Sequence, residues 1–436
     1  MELTPQVEKP DSYPPAQEEV ARLAGSPEVR AAFDWFRSQE AQFVEWQMES
    51  ARIAAPPFGE ATRGAWLAER FRDLGLGDVQ VDEVGNVFGL QENEHQGNPA
   101  RLRTPALGGQ ECPPCMVALS AHIDTVFPAT TPLNIRQQGS RLYGPGVSDN
   151  GAGIAAMLAV AGAIRAARIS HALPFVFIGN VGEEGEGDLR GMRYVFATPR
   201  WRDSIAYSVV VDGAGSDTVV AEALGSRRFE VIVRGAGGHS WSDFGTPNPI
   251  IVLARAIQSF SRTPVPASPK TTFNVGVIRG GTSVNSIPES ASMRVDLRST
   301  SMTEIDRLEH ALRVAVDHAI EAENRTAPVH GRRKSQAVQS EVVTIGNRPA
   351  GELAADTRIL KVIRAVDGQL GNTAQVQRAS TDANVPLSMG REAIAIGGGG
   401  SGGGAHTLQE WFDTNGRDLG LRRILLTMLA LSGVGE

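Results

Sequence analysis

The sequence predicts an α/β fold, a mixed sheet covered by helices, with a smaller domain inserted into it. Three features carry this expectation. The short apolar runs "MVALSAHID", "FVFIGNVGEE" and "YSVVVDGAG" read as buried strands. The helical stretch "GIAAMLAVAGAIRAA" separates the first two, and strand–helix–strand alternation argues for a sheet flanked by helices. After about residue 224 the order changes to β-α-β-β-α-β, that of a split βαβ domain. A chain of 436 residues is also too long for one small core. The expected organisation is a main domain built from residues 1–224 and 347–436, interrupted by an inserted domain at 225–346.

From the N-terminus, apolar residues recur at helical spacing through "PEVRAAFDWFRSQEAQFVEWQMESARI" and again through "GEATRGAWLAERFRDLGL", which ends in glycine. "VQVDEVGNVFGL" alternates like a strand with a turn. Residues 92–114 are polar and rich in Gly and Pro, the composition of a surface loop. In the inserted domain "RRFEVIVRG", "TTFNVGVIRGG", "SASMRVDLRS" and "SEVVTIG" read as strands, and "NPIIVLARAIQSF" and "MTEIDRLEHALRVAVDHAIEA" as helices. The main domain resumes with a helix in "ELAADTRILKVIRAVDGQL", the strand "EAIAIG" and a terminal helix in "DLGLRRILLTMLALSG". The run "GGGGSGGG" has linker composition. Its place between a buried strand and a histidine implies instead a backbone that approaches a ligand closely.

Hydrophobic residues at 41% and charged residues at 21% describe an ordinary globular chain. A net charge of −7 argues against nucleic acid as a partner. No apolar stretch reaches the length of a membrane span, and the N-terminus lacks the basic and apolar regions of a signal peptide. The only cysteines, Cys112 and Cys115, cannot build a disulfide framework, which points to the cytoplasm. Their C-x-x-C spacing suits a redox pair, half of a zinc site, or a reduced pair in a loop.

Groups capable of chemistry collect after the apolar runs. His122 and Asp124, two apart, share one face of a strand. Asp149 lies in a glycine-rich turn before a helix, Glu183 and Glu184 are adjacent, Asp212 ends the third run, and His406 follows the glycine run. In an open α/β sheet ligands bind at the carboxyl ends of strands. Singly, each group has an ordinary reading: Asp149 as a helix N-cap, Asp212 as a turn residue. Jointly, carboxylates and imidazoles ending several buried strands are costly unless a cation neutralises them. Nitrogen and oxygen donors without thiolate suit Zn²⁺, with Mn²⁺ or Co²⁺ as substitutes. Two cations about 3.5–4 Å apart need a bridging carboxylate, terminal ligands and a base, which two His, two Asp and two Glu match. A competing pattern is G-x-S-x-G at 399–403, the elbow of a serine hydrolase, which requires a helix directly after Ser401.

With these residues in place, the chain resembles the dizinc metallopeptidases that include glutamate carboxypeptidase, acetylornithine deacetylase, aminoacylase, carnosinase and peptidase T. The stretches that carry the resemblance are "SAHIDTVFP", "DNGAGIAAML", "GEEGEGDLRG", "VVDGAG", "GGHSW", "GGTSVNSIPESASMRVDLRS" and "GGGAH", in family order. The resemblance implies a mixed-sheet zinc-hydrolase catalytic domain with an inserted ferredoxin-like domain that serves as lid and dimerisation surface. It implies two Zn²⁺ per subunit, one held by His122, Asp149 and Asp212, the other by Asp149, Glu184 and His406. Glu183 would be the general base, and Asp124 would orient His122 through its other ring nitrogen. A cis peptide would follow the bridging aspartate, at Asp149–Asn150. His239 would reach the partner subunit's active site and stabilise the developing oxyanion. Asn285, Arg298 and Arg348 would contact substrate, the arginines suiting a carboxylate, although Arg348 fits a surface ion pair equally well. Ala379 and Ser380 depart from the glycines that often precede Thr-Asp in the family, and the "ECPPC" loop is a second departure.

The function these readings lead to is hydrolysis of amide bonds in small peptides by a homodimer formed through the inserted domain. Deacylation of N-acyl amino acids is the alternative on the same centre. A non-catalytic binding protein with a retained fold is the alternative of another class.

Overall fold

Four helices, Ala16–Gly25, Pro27–Ser38, Glu40–Arg52 and Ala61–Asp73, lead into the main sheet of the computed structural model, which describes residues 15–92, 116–326 and 337–433. Cys112 and Cys115 lie outside the described residues, as does most of the polar stretch expected as a loop. Ser26 caps the second helix through its hydroxyl, which accepts from the Val29 amide at 3.3 Å, with Pro27 in the first turn. The long stretch of helical spacing forms two helices. They part at Gln39, beside which the Ser38 hydroxyl donates to the Trp35 carbonyl at 2.9 Å. The bend lets Trp35 and Phe36 pack on Phe43, with ring centroids 5.4 and 6.5 Å away.

Six neighbouring strands of the main sheet run in the spatial order Gly77–Val81, Val87–Gln91, Phe175–Asn180, Met116–His122, Ile205–Val211, Glu392–Ile396. The last four strands are mutually parallel, and the first two add an antiparallel hairpin at one edge. Parallel strands are covered on both faces, so they show unbroken apolar runs rather than alternation. The helices Gly151–Ala166 and Arg417–Ser432 are buried on almost every side and pack into this core. Small residues permit the fit: a Cβ on Gly162 would lie 2.6 Å from the Trp35 ring. Because the four strands are parallel, their carboxyl ends, at His122, Asn180, Val211 and Ile396, lie along one edge.

Backbone contacts divide the chain into two compact units, Met1–Ala221 with Glu352–Glu436, and Glu222–Gly351. The second unit has strands Gly225–Arg234, Thr271–Gly280, Ser290–Ser299 and Gln339–Arg348, with helices Pro249–Phe260 and Met302–Thr326, in β-α-β-β-α-β order. Its antiparallel sheet places Thr271–Gly280 at one edge, then Ser290–Ser299, Gly225–Arg234 and Gln339–Arg348. Alternate residues, Phe229, Val231 and Val233 on one strand and Met293, Val295 and Leu297 on the next, face both helices in a core of their own.

Three elements depart from expectation. Arg136–Gln138, Arg141–Tyr143, Ser401–Gly403 and Trp411–Asp413 form a separate four-stranded sheet from strands of three residues each, too short to show a period in sequence. The glycine run is no linker, and the contacts that require its glycines are with protein, backbone at Gly397 and Gly399 and the Ser148 and Trp411 side chains at Gly402 and Gly403. The Gly398 amide donates to the Gly213 carbonyl at 2.9 Å, and a Cβ on Gly397 would lie 2.4 Å from the Ala214 carbonyl oxygen. Ser401 opens a short strand rather than a helix, which removes the serine-elbow reading. Among the described residues no helix is long and apolar enough to cross a membrane.

Leu158, fully buried in the Gly151–Ala166 helix, carries a measurable share of this packing. Leu158→Ala is expected to cost about 3 kcal/mol, read as a lower urea midpoint. Val376→Ala, at a site 48% exposed, should stay within about 0.5 kcal/mol of wild type.

Candidate metal centre

His122 ends its strand with the ring 1% exposed. Nδ1 lies 3.1 Å from the carbonyl oxygen of Asp124. A carbonyl only accepts, so Nδ1 carries the N–H, and in the neutral ring Nε2 keeps the lone pair. Nε2 faces Asp149 Oδ1 at 3.1 Å and Asp212 Oδ1 at 3.8 Å. His406 Nε2 faces Glu184 Oε1 at 3.0 Å and Asp149 Oδ2 at 3.1 Å. Asp149 therefore offers one oxygen to each of two imidazoles. Three overlapping groups result: His122–Asp149–Asp212, Asp149–Glu184–His406 and His122–Glu183–Glu184, each with donor atoms within 4.8 Å of one another.

The electrostatics follow from this crowding. Burial pushes the Asp149 carboxyl up, yet hydrogen bonds from His122 and His406 hold it well below the usual carboxylate range. The His406 imidazole is raised to about 9, first by its hydrogen bond to Asp149. Burial opposes charge on His122, but the carboxylates around it keep its pKa above the ordinary value. Burial lifts Glu184 to about 7. The cluster thus draws positive charge to itself, which protons on imidazoles meet only in part. Its donors are nitrogen and oxygen without thiolate, and they fit a pair of divalent cations.

Local structure explains how each group is presented. Asn150, not Asp149, caps the Gly151–Ala166 helix. Its Oδ1 accepts from the Gly153 and Gly213 amides at 3.1 and 3.0 Å, and its Nδ2 donates to the Val211 carbonyl at 2.9 Å. That frees the Asp149 carboxylate for the imidazoles and overturns its reading as a cap. The Asp149–Asn150 peptide is cis. The Asp124 carboxylate accepts from the Glu183 amide through Oδ1 at 3.0 Å and from the Glu184 amide through Oδ2 at 2.8 Å. Asp124 also faces the other ring nitrogen of His122, its main-chain carbonyl at 3.1 Å from Nδ1 and its Oδ1 at 3.6 Å. Asp124 fixes the Glu183–Glu184 turn beside the His122 strand.

The match to known proteins agrees with this arrangement. Residues 118–429 match the model of peptidase family M20/M25/M40. The chain belongs to that family. It is similar to a probable carboxypeptidase of Aspergillus clavatus, 32% identical over 203 residues, or 42% of this chain and 44% of that protein. It thus spans less than half the length of that relative. It is also similar to succinyl-diaminopimelate desuccinylase of Burkholderia vietnamiensis, 24% identical over 272 residues, or 55% of this chain and 72% of that protein. The fold is shared with aminopeptidase PepT of Bacillus cereus, at a TM-score of 0.68 and 19% identity over 90% of this chain and 99% of that one.

The remaining candidates in this M20/M25/M40 chain lie in the inserted unit, where they separate into two pairs. His239 pairs in register with Ser286, and the Ser240 amide donates to the Asn285 carbonyl at 2.9 Å, so His239 and Asn285 are neighbours. Arg298 and Arg348 flank Ser226 on either side, at the far end of the strand Gly225–Arg234, and registered partners share a sheet face. Ten residues of strand put the two pairs about 30 Å apart. Arg298 Nε donates to Asp296 Oδ2 at 2.7 Å. Arg348 is 7% exposed, which removes its reading as a surface pair.

Sequence reasoning missed several supports. Arg63, fully buried, donates through Nη1 to the Ile123 carbonyl at 2.9 Å behind His122. Asp382 is fully buried beyond the Phe175–Asn180 strand, where Asn180 donates to it at 2.6 Å and burial lifts its carboxyl to about 7. Its one sequence signal is the Thr-Asp pair that follows the departures at Ala379 and Ser380. Glu410 and Gln47 hold the Asp149 turn from two sides. The one signal for Glu410 was its place four residues after His406.

Asp124→Asn keeps the shape but sets an NH₂ group against one of two buried amides. It is expected to cost about 2 kcal/mol in the metal-free protein, read from denaturant unfolding, because a buried N–H is left unpaired.

Proposed function

We propose that this chain is a metal-dependent amide hydrolase acting on small peptides. The observation that carries the reading is Asp149, whose two oxygens face His122 and His406 at 3.1 Å each. On this reading His122, Asp149 and Asp212 hold one cation and Asp149, Glu184 and His406 the other, zinc in the first instance, with manganese or cobalt as substitutes. The cation pair, when bound, polarises the scissile carbonyl and lowers the pKa of a water. Glu183, buried beside His122, takes the proton of the attacking water and returns it to the leaving amine. Asp124 holds the Glu183 and Glu184 amides, so one side chain sets the distance between base and ligand.

His239 has the chemistry of an oxyanion donor. Its Nδ1 accepts from the Trp241 amide at 3.2 Å, so the proton of the neutral ring sits on Nε2. We assign it to the partner's site in a homodimer, with Asn285 beside it, whereas Arg298 and Arg348 serve a substrate carboxylate from the other end of the unit. The edge strand Thr271–Gly280 supports pairing of two copies: it exposes Val277 and Ile278, and the adjacent helix exposes Ile250 and Ile251. The cysteine content favours a cytoplasmic location. Similarity to the desuccinylase keeps deacylation of N-acyl amino acids as the second reading.

Incubation with di- and tripeptides and with N-acyl amino acids, read by mass, should give peptide products that vanish on chelation and return with zinc, manganese or cobalt. Activity that survives chelation but yields to a serine-directed fluorophosphonate would sink the reading. Glu183→Gln should bind metal as wild type and lose about 10²–10⁴-fold in kcat. Mixing Glu183→Gln with His239→Ala subunits should restore about a quarter of wild-type activity, because each hybrid dimer contains one complete site. No recovery despite subunit exchange would place His239 in its own chain's site or outside catalysis.

A further inference from the structure

We infer that Glu410 is a positioning residue for the shared carboxylate of the metal centre. The inference rests on the dinuclear reading above. Glu410 is fully buried, and its side chain touches the one segment that presents Asp149. Oε2 accepts from the Gly146 amide at 2.8 Å, and Oε1 from the Ser148 and Asp149 amides at 2.7 and 2.8 Å. Its own carbonyl accepts from the Gly144 amide at 2.9 Å. Four amides of a six-residue turn thus end on a single residue. Gln47 completes the hold by donating to the Val147 carbonyl from the opposite side.

The residue type is informative. An ionised carboxylate is acceptor-only and has lone pairs for three N–H groups, whereas a glutamine amide would meet one of them with its own donors. A buried charge is costly to place, and three backbone amides hold this one. Apolar atoms in its place would leave those three amides without an acceptor, so the carboxylate both satisfies the turn and fixes it. What Glu410 connects explains its place. It lies on the segment that follows His406, so a rigid tie between it and the Asp149 turn sets how Asp149 Oδ2 meets His406. A bridging ligand needs both oxygens aimed at once, and an error in its backbone misdirects both.

Titration of the metal-free full chain with Zn²⁺ against a chromophoric chelator tests this, with kcat and KM measured alongside. Wild type should bind two ions. Glu410→Gln should bind at least one of them about 10–100-fold more weakly. Its kcat should recover at high metal concentration while KM for the peptide is unchanged. Asp413→Asn, which removes the negative charge that faces Arg141 on the strand that follows, should bind both ions as wild type does. Equal affinity in Glu410→Gln and wild type overturns the assignment of Glu410 and leaves the dinuclear reading standing. Failure of wild type to bind divalent ions overturns both. Should Glu410→Gln not fold, amide hydrogen exchange in metal-free wild type decides. Protection of Gly146, Ser148 and Asp149 without metal is expected, and protection that arises only on adding metal overturns the inference.

Discussion

One carboxylate with an imidazole on each of its oxygens is the constraint around which the main unit is arranged. Asp149 stands 3.1 Å from both His122 and His406, two residues far apart along the chain. Such a group is tolerable in a buried place only if its charge is met and its direction is fixed. The charge is met by imidazoles drawn towards their protonated forms, and in a functioning centre by cations. The direction is fixed by the backbone. Asn150 takes over the duty of capping the helix, Glu410 collects the amides of the turn, and Asp124 does the same for the Glu183–Glu184 turn opposite.

A common device runs through these supports: a buried carboxylate or amide that gathers several main-chain groups of a loop. Loops carry ligands because they can take irregular paths, and irregular paths leave main-chain N–H groups without ladder partners. Asp124, Asn150 and Glu410 supply those partners, which also removes the freedom of the loops. Rigidity and hydrogen-bond satisfaction are here the same interactions. The parallel sheet beneath adds the rest, since it brings the ends of four strands to one edge without any of the ligands being close in sequence.

The inserted unit follows a different logic. Its sheet is antiparallel, has its own apolar core, and separates its candidate residues into His239 with Asn285 at one end and Arg298 with Arg348 at the other. A single small substrate cannot span about 30 Å of strand. The two ends are therefore suited to two different sites.

The alternation of strands and helices was legible in the sequence because long apolar runs and amphipathic periods are local properties. The side chains that cluster at the strand ends were legible too: carboxylates and imidazoles that follow apolar runs have few cheap explanations. Much else was not. The strands Arg141–Tyr143 and Trp411–Asp413 are too short to register a period, and the glycine run implied a close approach without showing that protein is what it approaches, because contact between distant segments leaves no local trace. Asp149 and Asn150 are equally good caps by composition, and only the position of Val211 and Gly213 decided which of them turns inward to cap and which faces the metal centre. The role of Glu410 was hidden for the same reason, since the amides it accepts from lie more than two hundred and fifty residues away. Composition and spacing determined what chemistry the chain can offer. The tertiary structure alone decided how that chemistry is aimed, because aim depends on hydrogen bonds between segments that the sequence does not bring together.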